Sequence, residues 1–237
     1  MSESADMHRS QRVAPYVSWE AFPADRRSSG IGGSKPMGMV CAYVRDDNSD
    51  ERTRKIIDVP SDVAKRLASL RKGQPEDSVT RYDELKELVL QTKRQVAKER
   101  ILRLVNRRDY SRFELEERLS RDGFERDVCV GVLDELADCG IVSDARFAEI
   151  YVRSKMSAGW GAERIVRELE KRGIDVNDLD GWPYEFFDPA DEFGRAVAVA
   201  QKKCSGSRIL SYQQVVRFLM GRGFSCNVAC GAAKEVV

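Results

Sequence analysis

Apolar residues recur at helical spacing over most of this chain, and the recurrence itself repeats. From residue 97 onward the pattern is helix after helix with glycine between. Three segments align without gaps at intervals of 50 residues: Ser111 to Phe124 (SRFELEERLSRDGF), Gly161 to Ile174 (GAERIVRELEKRGI) and Ser211 to Phe224 (SYQQVVRFLMGRGF). Leu115, Ile165 and Val215 correspond, as do Leu119, Leu169 and Leu219. Each pair is spaced i,i+4, which puts both side chains on one helix face. Gly123, Gly173 and Gly223 close the three segments and are followed by Phe124, Ile174 and Phe224. A glycine there predicts a left-handed helix end, and the apolar residue after it can fold back on that end. Ser111 with Glu114, and Ser211 with Gln214, have capping-box spacing; Gly161 is a weaker cap.

A further helix precedes each segment: Lys98 to Asn106, Ser143 to Met156, and Asp188 to Lys203. Ser143 and Asp188 suit the N-cap, and Pro189 the first helical position. A third helix should follow each glycine. It is clear in the first copy (Val128, Val132, Leu133, Leu136), short in the second, ending near Leu179, and spans Asn227 to Val236 in the third. Units of three helices in about 50 residues bury their faces on themselves and on neighbours. The predicted class is all-α, an elongated, curved body of tandem repeats at 97–140, 143–187 and 188–237.

The front of the chain reads differently. Residues 1–37 are polar and rich in Ser, Gly and Pro, and are expected to form a disordered tail, interrupted by Tyr16, Trp19 and Phe22. Residues 38–95 predict a small domain. Met39 to Val44 and Ile56 to Val59 form a hairpin turning near Asn48, and helices follow at 62–70 and 82–95.

Composition narrows the chemistry. Lys plus Arg is 40 and Asp plus Glu 39, a formal net charge of +1. The balance points to no partner class by itself, since local clustering decides binding. The single histidine, His8, lies in the polar tail, so the usual triads, general bases and zinc sites have no histidine to build on. The sequence predicts neither enzyme, metal site nor cofactor. Six cysteines with no secretory signal, and no apolar run long enough to span a membrane, predict a cytoplasmic chain with reduced thiols. Cys226 and Cys230 share a helix face but make a poor metal site, and are expected to be small buried core residues.

Positive charge gathers in two stretches. One is 97–112, with Arg103, Arg107 and Arg108. The other is 201–222, with Lys202, Lys203 and Arg217, which holds no acidic residue. Arg103, Arg153 and Lys203 share one repeat position, and Arg167 and Arg217 another. Such a stripe can meet phosphates or an acidic protein surface, whereas packing alone does not require it. A capped helix, glycine turn and following helix also resemble a helix-turn-helix unit, which leaves direct DNA binding as the alternative.

The stretch RRDYSRFELEERLSRDGF (Arg107 to Phe124) resembles the RecX family of regulatory proteins. SDARFAEIYVRSKMSAGWGAERIVRELEKRGI (Ser143 to Ile174) resembles it more closely, through Arg146-Phe147-Ala148, Tyr151-Val152-Arg153, Gly159-Trp160-Gly161 and Arg164-Ile165. The resemblance implies a monomeric, non-enzymatic modulator of the recombinase RecA. Such a modulator acts on the RecA filament on single-stranded DNA, inhibiting it during DNA repair and the SOS response. Weak direct DNA binding is compatible with it. Arg164 joins the basic candidates through this motif. Tyr151 and Trp160 stand at its most family-like positions, either as packing residues or as partner anchors.

Overall fold

The computed structural model describes residues 16–24, 35–45, 52–75, 80–205 and 210–237. His8, the expected turn at Asn48, and residues 206–209 of the basic stretch 201–222 lie outside them. The chain divides into two compact units. One comprises residues 1–102 and 116–132, the other residues 103–115 and 133–237.

The first unit opens on strands β1 (Tyr16–Phe22), β2 (Met37–Arg45) and β3 (Arg52–Pro60), helix α1 (Ser61–Lys72) and the short β4 (Thr80–Arg81). They form one antiparallel sheet in the order β3-β2-β1-β4. β1 corrects the expected tail, because residues 16–22 are a strand hydrogen-bonded between β2 and β4. Its alternation explains why: Val17 and Trp19 are buried at 1% and 2% exposure, while Glu20, next along the strand, faces solvent. The central β2 is buried at Val40, Cys41 and Ala42, whereas the edge strand β3 is mostly exposed. α1 covers the sheet through Val63, Ala64 and Leu67.

Helix α2 runs unbroken from Tyr82 to Val105, 24 residues, where two helices were expected. Its buried stripe is Leu85, Val89, Thr92, Lys93, Val96, Ala97, Ile101 and Leu104. Thr92 and Lys93 sit inside that stripe and disguise it. The Thr92 hydroxyl donates to the Leu88 carbonyl at 2.7 Å, and Lys93 pairs with Glu125. A buried polar group with a partner does not interrupt a helix.

The helices α3 (Arg112–Arg121), α4 (Arg126–Asp138), α5 (Asp144–Ser157), α6 (Ala162–Glu170), α7 (Pro189–Cys204), α8 (Tyr212–Arg222) and α9 (Cys226–Val236) follow. The repeat is visible at atomic level. Gly123, Gly173 and Gly223 have φ of 91°, 73° and 89°. Behind them, Phe124 N donates to Leu119 O at 3.1 Å, Ile174 N to Leu169 O at 3.1 Å, and Phe224 N to Leu219 O at 3.2 Å. This is the same six-residue helix-end loop three times. Leu115, Leu119, Ile165, Leu169, Val215 and Leu219 are all fully buried.

The second copy departs from its siblings. The helix expected after Gly173 is a single 3-10 turn, Val176–Asp178, whose start is held by Asp175 Oδ1 accepting from Asn177 N at 2.9 Å. Val176, Leu179 and Phe187 nevertheless complete a core with Phe147, Val152, Ile165 and Leu169. In the third copy α9 packs on α7 and α8 through Ala229, Ala232 and Ala233.

Candidate partner interface

Within the second unit, the glycine turn of each copy receives the start of the preceding copy's middle helix. The Ser111 hydroxyl, at the start of α3, donates to Arg172 O at 2.9 Å, and Phe113 lies against Gly173. One copy later Gly161 N donates to Arg222 O at 3.0 Å and Glu163 N to Gly223 O at 3.1 Å. The Arg222 guanidinium returns a bond to Ala158 O at 3.0 Å. Helix-start amides lack partners within their own helix, and here carbonyls of the next copy supply them. Gly161 is required at this contact, since a Cβ there would strike the backbone of Gly223. Only half of the expected Ser111–Glu114 capping box forms: Glu114 N donates to Ser111 Oγ at 3.1 Å, while the Glu114 carboxylate turns to Arg108 and Arg172. At α8 the Gln214 side chain accepts from Ser211 N at 2.9 Å, as the spacing predicts.

The middle copy carries a ladder of rings and cations. Phe147 stacks on Tyr151 at 5.7 Å. Arg172 lies 4.8 Å and Lys155 5.1 Å from the centre of the Tyr151 ring. Lys155 also lies 5.0 Å from Trp160, and Arg164 covers that indole at 3.9 Å. Each contact of this kind contributes about 0.5–1 kcal/mol at an exposed site. Tyr151 is core on its ring and unsatisfied at its tip, because its buried hydroxyl has no hydrogen-bond partner. Burial pushes its pKa up. Trp160 is half-buried, so it is neither a pure core residue nor a fully exposed anchor.

The nominated basic residues all belong to this second unit. Arg103, Arg153 and Lys203 are exposed at their shared repeat position. Arg153 pairs with Glu149 at 2.6 Å, Lys203 sits 5.4 Å from the Phe218 ring, and Arg103 has no ion pair among the described residues. Arg167 and Arg217 make the same contact in two copies, each Nε donating four residues back, to Glu163 O and Gln213 O. Arg107 and Lys202 are exposed, while Arg108 stacks on Tyr110 at 3.6 Å and pairs with Glu114. Arg222, which belongs to the basic stretch 201–222, lies near the Trp160 turn. Two further cations there carry no signal in the sequence: Lys155, and Arg195, whose Nη1 donates to Trp160 O at 3.4 Å. The cysteine expectation is corrected too: Cys226 is exposed and Cys230 half-buried, with their sulfurs 4.0 Å apart. Cys226 occupies the first turn of α9, whose buried face is made by alanines instead.

Among the described residues no group of three or more His, Cys, Asp or Glu side chains could hold a metal ion, and no helix is long and apolar enough to cross a membrane. Solvated side chains at recurring positions of successive three-helix units define the class by fold, a helical-repeat protein. Family models describing the first and second three-helix domains of RecX match residues 97–136 and 143–180. The regulatory protein RecX of Pseudomonas entomophila is 38% identical over 128 residues, covering 53% of this chain and 81% of that one. That of Halorhodospira halophila is 34% identical over 137 residues, covering 56% and 83%. The chain belongs to the RecX family of regulatory proteins, whose members are non-catalytic. The fold agrees with the crystal structure of RecX from Lactobacillus salivarius (TM-score 0.53, 22% identity, 61% of this chain and 96% of that one). It also agrees with a second crystal structure of a regulatory protein RecX (TM-score 0.58, 18% identity, 82% and 94%). Family membership supports a role in modulating RecA in general.

Proposed function

We propose that this chain binds the RecA filament on single-stranded DNA and inhibits its ATPase, strand-exchange and coprotease activities. The observation that carries the reading is the set of solvated cations at repeated positions of one compact unit: Arg103, Arg153 and Lys203, then Arg167 and Arg217. Equivalent positions on successive units give evenly spaced charge, which suits a partner that is itself a repeating assembly.

Replacing Arg103, Arg153 and Lys203 by Glu together tests it. The residues are exposed, Glu is a good helix former, and an exposed pair such as Arg153–Glu149 contributes only about 0–1 kcal/mol. The variant should therefore fold. It should fail to slow ATP hydrolysis by RecA on single-stranded DNA at concentrations where the unaltered chain succeeds. Wild-type inhibition by the folded triple variant would remove these residues from the contact surface. Binding of the unaltered chain to DNA without RecA, lost in the same variant, would favour direct DNA recognition instead.

A further inference from the structure

At both junctions between copies in the second unit the residue before the turn glycine offers its carbonyl to the preceding helix start, Arg172 O to the Ser111 hydroxyl and Arg222 O to Gly161 N, but the charges around them differ. At the first, Arg172 is neutralised by this chain's own carboxylates: Glu168 at 2.8 Å from the same copy, and Glu114 at 3.7 Å from the preceding one. At the second, Arg222 stands in the place of Arg172, each preceding its copy's turn glycine. The positions of the two carboxylates are taken by Arg164, for Glu114, and Phe218, for Glu168.

The second junction thus loses two negative charges and gains a positive one at matching positions. Arg222 lies 5.3 Å from the Phe218 ring, and Arg164 and Lys155 lie over Trp160. None of Arg222, Arg164 and Lys155 has a carboxylate within ion-pair distance among the described residues. What they have are rings and the carbonyls of Ala158 and Gly221. Beneath them Arg195 buries Nε and Nη2 without partners.

We propose that the junction of copies two and three is a docking site for a carboxylate-rich segment of a protein partner. The ligand chemistry is defined by the sister junction, where two glutamates already occupy the matching positions. A guanidinium stacked on a ring keeps its N–H edge available for two-pronged carboxylate binding. The same stacking argues against single-stranded nucleic acid, which binds such surfaces by laying bases on aromatic faces. Here Arg164 already covers Trp160 at 3.9 Å. The proposal deepens the reading of the chain as a protein-binding regulator. It names the chemistry of one partner segment and rests on that reading.

The test uses the full chain without recombinase, so its outcome is separate from filament inhibition. A short fluorescein-labelled oligoglutamate peptide is titrated and followed by anisotropy at two salt concentrations, beside a labelled oligothymidylate of matched charge. Arg164→Glu restores the glutamate of the sister junction. Arg126→Glu, an equal charge change at a side chain 85% exposed in the first unit, is the control. The expected result is salt-sensitive binding of oligoglutamate that Arg164→Glu weakens about tenfold or more and Arg126→Glu leaves within about twofold. A second variant, R164E/F218E, supplies both missing carboxylates at the cost of the packing of Phe218 on the third-copy core, and is expected to keep a helical circular dichroism spectrum while binding no peptide. No oligoglutamate binding by the unaltered chain overturns the proposal. So do equal losses in Arg164→Glu and Arg126→Glu, or oligothymidylate bound more tightly than the peptide and lost on Arg164→Glu.

Discussion

Replacing Gly173 by valine should destabilise the chain by about 3–5 kcal/mol, a large part of the 5–15 kcal/mol typical of a folded domain. Gly173 has φ of +73°, where a β-branched residue is a genuine outlier. Holding a non-glycine residue in that region costs about 1–3 kcal/mol. A Cβ on Gly173 would stand 2.7 Å from Phe113 Cβ and 3.0 Å from its Cγ. Phe113 Cβ is fixed to the first turn of α3, so rotating the ring does not relieve the clash and the backbones must part. Parting them strains the Ser111 Oγ to Arg172 O bond of 2.9 Å, worth about 0.5–1.5 kcal/mol. Gly173→Ala keeps the Cβ and loses the branching, and should cost about 2–3 kcal/mol. Gly131 is the internal control. It lies in α4, and a Cβ there would meet nothing within 4 Å, so Gly131→Ala should stabilise by about 0.4–1 kcal/mol. Urea denaturation of the three variants, followed by tryptophan fluorescence, measures the order. Gly173→Val unfolding within about 0.5 kcal/mol of the unaltered chain, at the level of a neutral surface change, would show that neither the φ nor the Phe113 contact governs this junction.

Tyr151→Phe should be neutral or stabilising by up to about 1 kcal/mol, because it removes a buried hydroxyl that has no partner; a clear loss of stability in thermal melts would mean that the hydroxyl is satisfied in solution. Lys171, then Arg172, hold the Glu168 carboxyl down at about 2, well below its ordinary 4.5. A depressed folded pKa gives stability that is present above about 4.5 and lost as the pH falls through about 2. Glu168→Gln should therefore flatten the acid limb of the stability profile, and an unchanged limb would exclude this carboxylate as its source. Burial raises the Cys129 thiol to about 11, so in the folded chain a maleimide at pH 8 should label exposed Cys139 and Cys226 long before Cys129. Peptide mapping that found Cys129 labelled first would contradict its burial.

The parts of the fold that depend on local backbone chemistry could be read from the sequence. A glycine three times at equal spacing predicted three left-handed helix ends, and Ser143 predicted its cap, where its hydroxyl accepts from Arg146 N at 3.2 Å. What depended on distant partners could not. Tyr16 to Phe22 alternates correctly for a strand, but seven residues between polar stretches become one only by pairing with β2 and β4. Lys93 looks like a break in α2 until Glu125, 32 residues on, accounts for it. The stripe stands out because its members repeat, and that same criterion hides Lys155, whose counterparts are Val105 and Ser205; Arg164, opposite Glu114 and Gln214, is reached only through the family motif.

That blindness has a physical cause. Repetition preserves what every unit needs in order to stack: an apolar i,i+4 pair, a glycine with positive φ, and carbonyls to receive the neighbour's helix start. The apolar pair and the glycine are equal in all copies because the helix-end loop they build is the same in each. Side chains at the rim of each junction carry no such constraint and have diverged. The first-copy turn lies under Met37 and Pro60, the second is closed by Glu114 and Glu168, and the third is left with Arg164, Phe218 and Arg222. An exposed ion pair contributes little to stability, so exchanging carboxylates for an arginine and a ring scarcely affects whether the copies stack. It does change what a junction can bind, since three cations with ring and carbonyl contacts alone present a field that the paired junction cancels. The proposed junction site therefore lies where the copies differ and the proposed cation stripe where they agree, both on a scaffold held by the shared glycines and apolar pairs.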